Sequence, residues 1–205
     1  MSAERISGLR IRSRGRLPHW ETEQGIYFVT FRLYDSLPAE AVRAIEFERQ
    51  GIVQTAKQMG RDLSTSERIR LARLFTEKIE RLLNAGIGSC YLKRPQVAQL
   101  VVSALEHFDG TRYRLFAWCV MPNHVHLVFQ TLPGEGLATI LRSIKTYTAR
   151  RANALLRRRG PFWQREYYDH LIRDDREFVR IVAYVADNPA KAGLKNWPWV
   201  ETCKA

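Results

Sequence analysis

The sequence of 205 residues predicts an α+β fold, a ferredoxin-like antiparallel sheet of β-α-β-β-α-β order with helices packed on it. Short segments rich in β-branched and aromatic residues alternate with longer segments that repeat apolar residues at helical spacing. Two of the predicted strands are joined only by Met121, Pro122 and Asn123, a connection that suits a hairpin and therefore an antiparallel pair. Hydrophobic residues make up 45% of the chain, which is enough for a core of ordinary size.

Four segments are predicted as strands. Residues 26–33 read IYFVTFRL, a run of β-branched and aromatic side chains that favours a strand. Residues 112–120 and 124–130 form the predicted hairpin. Residues 162–172 are aromatic and partly extended, so we expect a strand with loop character there.

Helix boundaries are predicted from prolines that suit a first turn and from polar residues that suit an N-cap. We expect a single domain over residues 1–205, with a flexible basic arm at 1–20 and a helical insertion in the first crossover at 39–95. Residues 51–65 are polar and are expected to be a loop. The predicted helices are 38–49, 66–86, a segment that begins at Pro95, 137–158, and a last helix that is capped by Asp174 or Asp175 and ends at Asn188.

The net charge of +12 favours a polyanionic partner. Nucleic acid is preferred to an acidic membrane, because the sequence shows no isolated amphipathic anchor. No apolar run approaches the roughly 20 residues that span a bilayer. The three cysteines, Cys90, Cys119 and Cys203, are far apart and form no CxxC pair, so we expect them to be reduced. The expected location is the cytoplasm, in association with the nucleoid.

A pair of histidines lies in the segment WCVMPNHVHLVFQ. In a strand, residues i and i+2 point to the same face, so His124 and His126 project side by side. The alternate residues Val125, Leu127 and Phe129 then point into a core. Two neutral imidazoles can bind one divalent ion if a carboxylate or amide oxygen completes the site. A solvated face is the alternative reading of such a pair.

The last predicted helix, DDREFVRIVAYVADNP, displays a tyrosine off its apolar stripe. At helical spacing, Tyr184 lies about 120° from the centre of the stripe, and Asn188 follows one turn later on the same face. A phenol has a pKa of about 10 and needs activation, which a nearby metal supplies. An ordinary boundary tyrosine is the alternative. The apolar stripe consists of Phe178, Ile181, Val182, Val185 and Ala186.

Several motifs, taken together and in order, resemble the REP-associated tyrosine transposases, which are single-tyrosine HUH transposases. The resemblance covers most of the chain and is weakest between about 39 and 93. The motifs that carry it are RGRLPHW, FVTFRL, PNHVHLVF, WQREYYDHLIRD and YVADNPAKAGL.

The resemblance implies that the chain is one HUH-type transposase domain with His124 and His126 as metal ligands and Tyr184 as the nucleophile. Asn188 stands where related proteins place a polar residue, often glutamine, that can be the third ligand. Asparagine is shorter by one methylene, so its role is less secure than that of the histidines. The implied cofactor is Mg²⁺ or Mn²⁺.

The implied activity is cleavage of single-stranded DNA beside a hairpin through a 5′-phosphotyrosine link, in DNA transposition or in a domesticated role at REP elements. The implied assembly is a monomer or a homodimer. A non-catalytic protein that binds hairpins or single-stranded nucleic acid is the alternative from another class. A phosphodiesterase in which water attacks is a third possibility, whereas the YxxxNP placement argues against a replication initiator or relaxase.

A basic helix follows the hairpin and contains no acidic residue between Gly136 and Gly160, which suits a track for phosphates. Aromatic residues next to it could stack on bases, although core packing is the commoner fate of Trp163. Tyr147 follows Ile140 and Ile144 at core spacing, and Asp169 with His170 could form an outer-shell pair. The candidate DNA-binding residues are Arg142, Lys145, Arg150, Arg151, Arg157, Arg158, Arg159, Trp163, Tyr167 and Tyr168.

Overall fold

A computed structural model describes residues 10–14, 17–73 and 78–202. The chain divides into two compact units, Met1–Tyr34 with Tyr91–Ala205, and Asp35–Cys90. In chain order the elements are β1 (Arg10–Arg14), β2 (Leu17–Glu21), β3 (Ile26–Arg32), α1 (Ala39–Gln58), α2 (Thr65–Arg73), α3 (Ile79–Asn84), a 3-10 turn (Tyr91–Lys93), α4 (Pro95–Glu106), β4 (Tyr113–Val120), β5 (His124–Thr131), α5 (Leu137–Leu155), β6 (Tyr168–Leu171), α6 (Asp175–Lys191) and β7 (Val200–Thr202).

The first unit contains a five-stranded sheet in the order β6-β3-β5-β4-β7, and every neighbouring pair is antiparallel. The strands β3, β4, β5 and β6, with α4 and α5 in the two crossovers, follow the predicted β-α-β-β-α-β order. The predicted α+β fold is therefore confirmed. The edge strand β7, which pairs with β4, was not predicted because its three residues carry too little pattern to mark a strand.

One face of the sheet packs on α4 and α5 and forms the larger core. Pro95 at the start of α4 suits a first turn, and the buried residues Val97, Val101 and Leu105 repeat at helical spacing. The strand residues that meet this helix layer alternate along each strand, as the two-residue period of a strand requires. They include Val29, Phe31, Val125, Leu127 and Phe129.

The other face of the sheet packs on α6. Asp174 is the N-cap of this helix, and its Oδ1 accepts a hydrogen bond of 2.8 Å from the Glu177 backbone N–H. The helix continues past Pro189 to Lys191, so the predicted end at Asn188 is three residues early. The sheet thus separates two helix layers, and among the described helices α6 covers the face to which His124 and His126 belong.

The second unit, Asp35–Cys90, contains α1, α2 and α3. The prediction of a helix end at 49 and a loop over 51–65 is wrong, because α1 runs through Gly51 to Gln58. The buried residues Ile45, Ile52 and Ala56 continue one helical stripe across the glycine, and this packing outweighs the low helix propensity of Gly51. The description of 39–95 as an insertion within one domain stays a prediction.

The N-terminal segment differs from the predicted flexible arm in the residues that the structure describes. Residues Arg10–Arg14 and Leu17–Glu21 pair as an antiparallel two-stranded sheet, with Arg10 opposite Glu21. The rest of the predicted arm, residues 1–9, 15 and 16, lies outside the described residues. In the part of the chain that is described, no helix is both long and apolar enough to cross a bilayer. Cys90 and Cys119 are buried free thiols, and Cys203 lies outside the described part.

Candidate active site

The two histidines of the PNHVH motif lie on β5, the central strand of the sheet. Both side chains are buried, with His124 at 0% and His126 at 2% exposure. Their Nε2 atoms are 3.0 Å apart and their ring centroids 4.6 Å apart. The strand geometry therefore brings the two imidazoles together as the spacing predicts, but in a buried site and not on a solvated face.

A hydrogen-bond partner holds each imidazole at its other nitrogen. The Nδ1 of His124 is 2.7 Å from Asn123 Oδ1, an oxygen that can only accept, so Nδ1 carries the proton and Nε2, 3.0 Å from His126 Nε2, can only accept. The Nδ1 of His126 is 2.8 Å from Thr30 Oγ1 on the neighbouring strand β3. When the Thr30 hydroxyl accepts, the Nε2 lone pairs of both rings point at one place, which is the arrangement of outer-shell partners that orients metal-binding histidines.

Burial keeps both imidazoles neutral at ordinary pH. It lowers the pKa of His126 to about 3, because the charged ring would lose its hydration. Burial also lowers the pKa of His124 well below its ordinary value, and the adjacent His126 adds to this effect. Neutral imidazole is the form that binds metal ions, so no proton must be displaced from these rings.

The tyrosine of the last helix lies against the histidine pair. The ring centroid of Tyr184 is 5.6 Å from that of His126 and 5.8 Å from that of Phe28, which meets it edge-on. Phe28 also stacks on His126 at 5.6 Å, and the Nζ of Lys191 lies 5.0 Å from the centre of the Tyr184 ring. Within this chain, α6 packs on the sheet and places Tyr184 against the histidines.

Asn188, one turn after Tyr184, is completely buried, whereas the helical projection places it away from the core. Its Oδ1 and Nδ2 atoms have no hydrogen-bond partner among the described residues. A buried amide without a partner costs roughly 1–3 kcal/mol, so this side chain has unused capacity for a ligand. An amide oxygen and two neutral imidazoles together fit a divalent cation whose remaining positions are filled by phosphate or water oxygens.

No acidic side chain completes this donor set. Within the described ranges, no group of three His, Cys, Asp and Glu side chains comes together to hold a metal ion. His170 of the predicted outer-shell pair lies with its Nε2 2.9 Å from Glu177 Oε1 at the start of α6, and the role of Asp169 stays a prediction. Thr30 and Asn123 hold the histidines instead. A polar threonine within the apolar run FVTFRL was the one sequence signal for Thr30.

Changing Thr30 to valine is expected to weaken Mn²⁺ binding by about 10- to 100-fold, the usual effect of removing an outer-shell partner. Valine keeps the branched shape but removes the oxygen that contacts His126 Nδ1. Thr30→Ser is the matched control, since it keeps the hydroxyl and should bind Mn²⁺ as the unchanged chain does. Calorimetric titration with MnCl₂ measures both, and equal affinity in all three proteins would refute the role of Thr30.

The predicted DNA-binding residues do not form one continuous track. Trp163 is buried in the larger core, where its Nε1 donates to Thr148 Oγ1 at 2.8 Å and its ring meets Phe31 edge-on at 4.8 Å. The prediction that Trp163 stacks on bases is therefore wrong. Tyr167 packs against the same core, and Tyr168 lies edge-on to Phe28 at 6.2 Å. Both tyrosines are half-buried and stay only candidate base contacts.

Two of the basic residues of α5 and its following loop bind the protein itself. The Lys145 ammonium donates to the backbone oxygens of Gln164 and Arg165 at 2.8 and 2.9 Å, and burial lowers its pKa to about 8. The Arg158 guanidinium donates to Asn153 Oδ1 at 2.8 Å and to Pro161 O at 3.1 Å. The remaining arginines are exposed and available to a partner: Arg142, Arg150, Arg151, Arg157 and Arg159.

Tyr147 is 52% exposed, so the prediction that it packs in the core is wrong. The buried stripe of α5 continues from Ile144 to Thr148 and Ala152, four residues apart each time. Tyr147 lies about 100° around the helix from Thr148, which places it at the edge of that stripe and in contact with solvent.

Residues 94–188 match the family described as transposase IS200-like. This segment, a little under half of the chain, is similar to IS200-like transposases. It includes His124, His126, Tyr184 and Asn188, but not Thr30 on β3. The resemblance to REP-associated tyrosine transposases is thereby confirmed, with support from the relatives described next.

Two curated relatives are similar to part of this chain. Over 109 residues the chain is 31% identical to the "Putative REP-associated tyrosine transposase" of Haemophilus influenzae. This match covers 46% of this chain and 60% of the relative. Over 96 residues it is 28% identical to the REP-associated tyrosine transposase of Escherichia coli strain K12, which covers 42% of this chain and 53% of the relative. The chain thus spans a little more than half the length of these relatives.

A solved structure, described as a REP-associated tyrosine transposase bound to a REP hairpin, has the same fold. Its TM-score with this chain is 0.52 at 16% identity, and the match covers 92% of this chain and 82% of that chain. At this level of identity the match supports the fold, the antiparallel sheet with its helix layers, and no assignment of individual residues.

Proposed function

We propose that this protein is a metal-dependent nicking and joining enzyme for single-stranded DNA, which forms a 5′-phosphotyrosine link beside a DNA hairpin. One observation carries the proposal. The ring centroid of Tyr184 lies 5.6 Å from that of His126. His126 and His124 form a buried pair of imidazoles whose Nε2 atoms are 3.0 Å apart. A phenol beside a ready-made cation site is the combination that phosphodiester transesterification needs.

The proposed reaction exchanges one phosphodiester for another. The Tyr184 oxygen attacks the phosphorus and loses its proton, the bond from phosphorus to the 3′ oxygen breaks, and the 3′ oxygen is protonated. The 5′ phosphate is then bonded to Tyr184, and a second 3′-hydroxyl can attack it to rejoin strands. Each step replaces one ester bond by another, so no ATP is consumed.

The residues around Tyr184 have distinct roles in this proposal. His124, His126 and Asn188 would hold Mg²⁺ or Mn²⁺, which when bound supplies Lewis-acid polarisation of the scissile phosphate. Phe28 contacts both His126 and Tyr184 and so fixes the nucleophile relative to the cation site. The Lys191 ammonium lies over the Tyr184 ring and so adds a positive charge beside the proposed nucleophile.

The proposed substrate is single-stranded DNA that contains a hairpin. The solved relative of the same fold is described as bound to a REP hairpin, and the E. coli relative is named for its association with REP elements. The net charge of +12 suits such a partner. We extend the proposal to DNA transposition, or to a domesticated role at REP elements, in association with the nucleoid in the cytoplasm.

The site supports catalysis by a single chain. His126 and Tyr184 of one molecule are already in contact, so no second copy has to supply the nucleophile. A monomer is therefore the proposed active form, and a homodimer that exchanges α6 is the alternative assembly.

The test is covalent capture of hairpin-bearing single-stranded DNA with Mn²⁺, with and without EDTA. We expect an adduct that survives denaturing electrophoresis and is absent with EDTA. Trypsin should leave the DNA on the peptide of residues 181–191, which contains Tyr184 as its only tyrosine. Uncut DNA would favour a non-catalytic binding protein, and cleavage without an adduct would show that water attacks. Either outcome overturns the proposal.

A further inference from the structure

The exposed side of α5 forms a shallow open cleft that contains an aromatic ring among cations. The described residues that line it, hereafter the α5 cleft, are Arg142, Ser143, Thr146, Tyr147, Arg150 and Arg151. Tyr147 is 52% exposed, and it is one of seven large hydrophobic or aromatic side chains exposed in the described part of the chain. The phenol ring therefore offers a free flat surface to solvent in the middle of a basic face.

The charge of the α5 cleft is not balanced by the protein. Helix α5 has no acidic residue, and none of the three cleft arginines forms an ion pair within the described residues. The nearest acid before the helix, Glu135, is bound by Arg112 through two hydrogen bonds of 2.9 and 2.7 Å. Arg112 also donates to Ser143 Oγ at 3.2 Å, so this end of the cleft adds no negative charge.

The α5 cleft lies on the opposite side of the sheet from the active site. The buried residues of α5 join the same core as Val125, Leu127 and Phe129. His124, His126 and Tyr184 belong to the face that α6 covers. DNA held in the cleft is therefore a separate stretch from the phosphodiester at Tyr184.

We propose that the α5 cleft binds single-stranded DNA, with an unpaired base stacked on Tyr147 and the flanking phosphates on Arg142, Arg150 and Arg151. An exposed ring beside cations is how proteins hold single strands without reading sequence, because every base has a stacking face. The guanidinium groups bind phosphate oxygens through paired N–H donors. The inference shares only its class of partner with the proposed function, and it requires neither the metal nor Tyr184.

The experiment measures binding of the full chain to fluorescent oligothymidine in EDTA, which removes cation-dependent contacts at the active site. Tyr147→Ala is expected to weaken binding by about 5- to 150-fold, the range that one stacked base provides. Tyr147→Phe keeps the ring and should bind within about twofold of the unchanged chain. The matched control is Tyr34→Ala, which removes another tyrosine that is 57% exposed outside the cleft, and it should leave binding unchanged.

The arginines are tested by the salt dependence of the same binding. The double change of Arg150 and Arg151 to alanine should lower the slope of log affinity against log salt by about 1.4, since each single-strand phosphate contact contributes about 0.7. Lys195→Ala, a change at an exposed cation outside the cleft, should leave the slope unaltered. Circular dichroism of each variant confirms that the fold is retained.

The proposal is overturned if Tyr147→Ala binds oligothymidine as tightly as the unchanged chain. It is also overturned if the same change weakens binding of a duplex of equal length to the same extent, because paired bases cannot stack on the ring. Tyr147→Ala should still form the covalent adduct at saturating DNA. If the unchanged chain forms no adduct but Tyr147→Ala weakens binding of oligothymidine, the proposed function is refuted and the α5 cleft is not.

Discussion

Replacing Tyr184 with phenylalanine is expected to abolish the covalent protein–DNA adduct, with a loss of at least about 1,000-fold in its rate of formation. The change removes only the phenol oxygen. The ring that contacts His126 and Phe28 remains, and so does the surface under Lys191, so the fold and the DNA affinity should be retained. Denaturing electrophoresis with labelled hairpin DNA and Mn²⁺ measures the adduct directly.

Tyr168→Phe is the matched control for this prediction. Tyr168 lies on the same face of the sheet, edge-on to Phe28, and loses the same single oxygen in the variant. Its adduct should form at close to the unchanged rate. If the adduct persists in Tyr184→Phe, the nucleophile has been assigned to the wrong tyrosine. If it also disappears in Tyr168→Phe, Tyr168 is the nucleophile.

Replacing His126 with alanine should weaken Mn²⁺ binding by more than about 100-fold, because loss of a ligand exceeds the effect of losing an outer-shell partner. Cleavage should disappear with the metal. DNA binding in EDTA should not change, since the imidazole is only 2% exposed and offers no surface to the nucleic acid. Titration calorimetry with MnCl₂ and fluorescence anisotropy with oligothymidine separate the two effects.

His170→Ala provides a histidine control on the same sheet. His170 bonds to Glu177 and not to either histidine of the pair, so its removal should leave Mn²⁺ affinity nearly unchanged. If His126→Ala binds Mn²⁺ as the unchanged chain does, the cation site lies elsewhere. If His170→Ala loses Mn²⁺ binding to the same extent, the assignment of the ligands to the PNHVH motif is also refuted.

The features that follow from a short repeat were predictable from the sequence. The two-residue period of a strand places His124 and His126 on one face whatever the rest of the chain does. The 3.6-residue period of a helix likewise places Asn188 one turn after Tyr184 on the same face. The prediction that this face lies away from the core is wrong, because Tyr184 packs against the smaller core and Asn188 is buried. These local rules predicted the sheet plan and identified the histidine pair and the candidate nucleophile Tyr184.

The features that depend on distant contacts were not predictable in the same way. Thr30 meets His126 across 96 residues of sequence, and only the pairing of β3 with β5 brings them together. From the sequence, Trp163 could fill a core or stack on a base. In the structure it is in the core, where its Nε1 donates to the buried hydroxyl of Thr148. Gly51 suggested a helix end, but α1 continues past it because Ile45 and Ile52 are buried on one stripe of the same helix.

The candidate cation site is built from neutral groups alone, two uncharged imidazoles and an amide. A carboxylate-rich site attracts cations by its own negative charge, whereas the groups of this site carry no charge. We therefore expect the ion and the DNA phosphate to favour each other's binding, since each supplies the charge that the other lacks. By thermodynamic reciprocity, Mn²⁺ should tighten DNA binding by the same factor as DNA tightens Mn²⁺ binding. The free protein would then hold the ion weakly and load it together with its substrate.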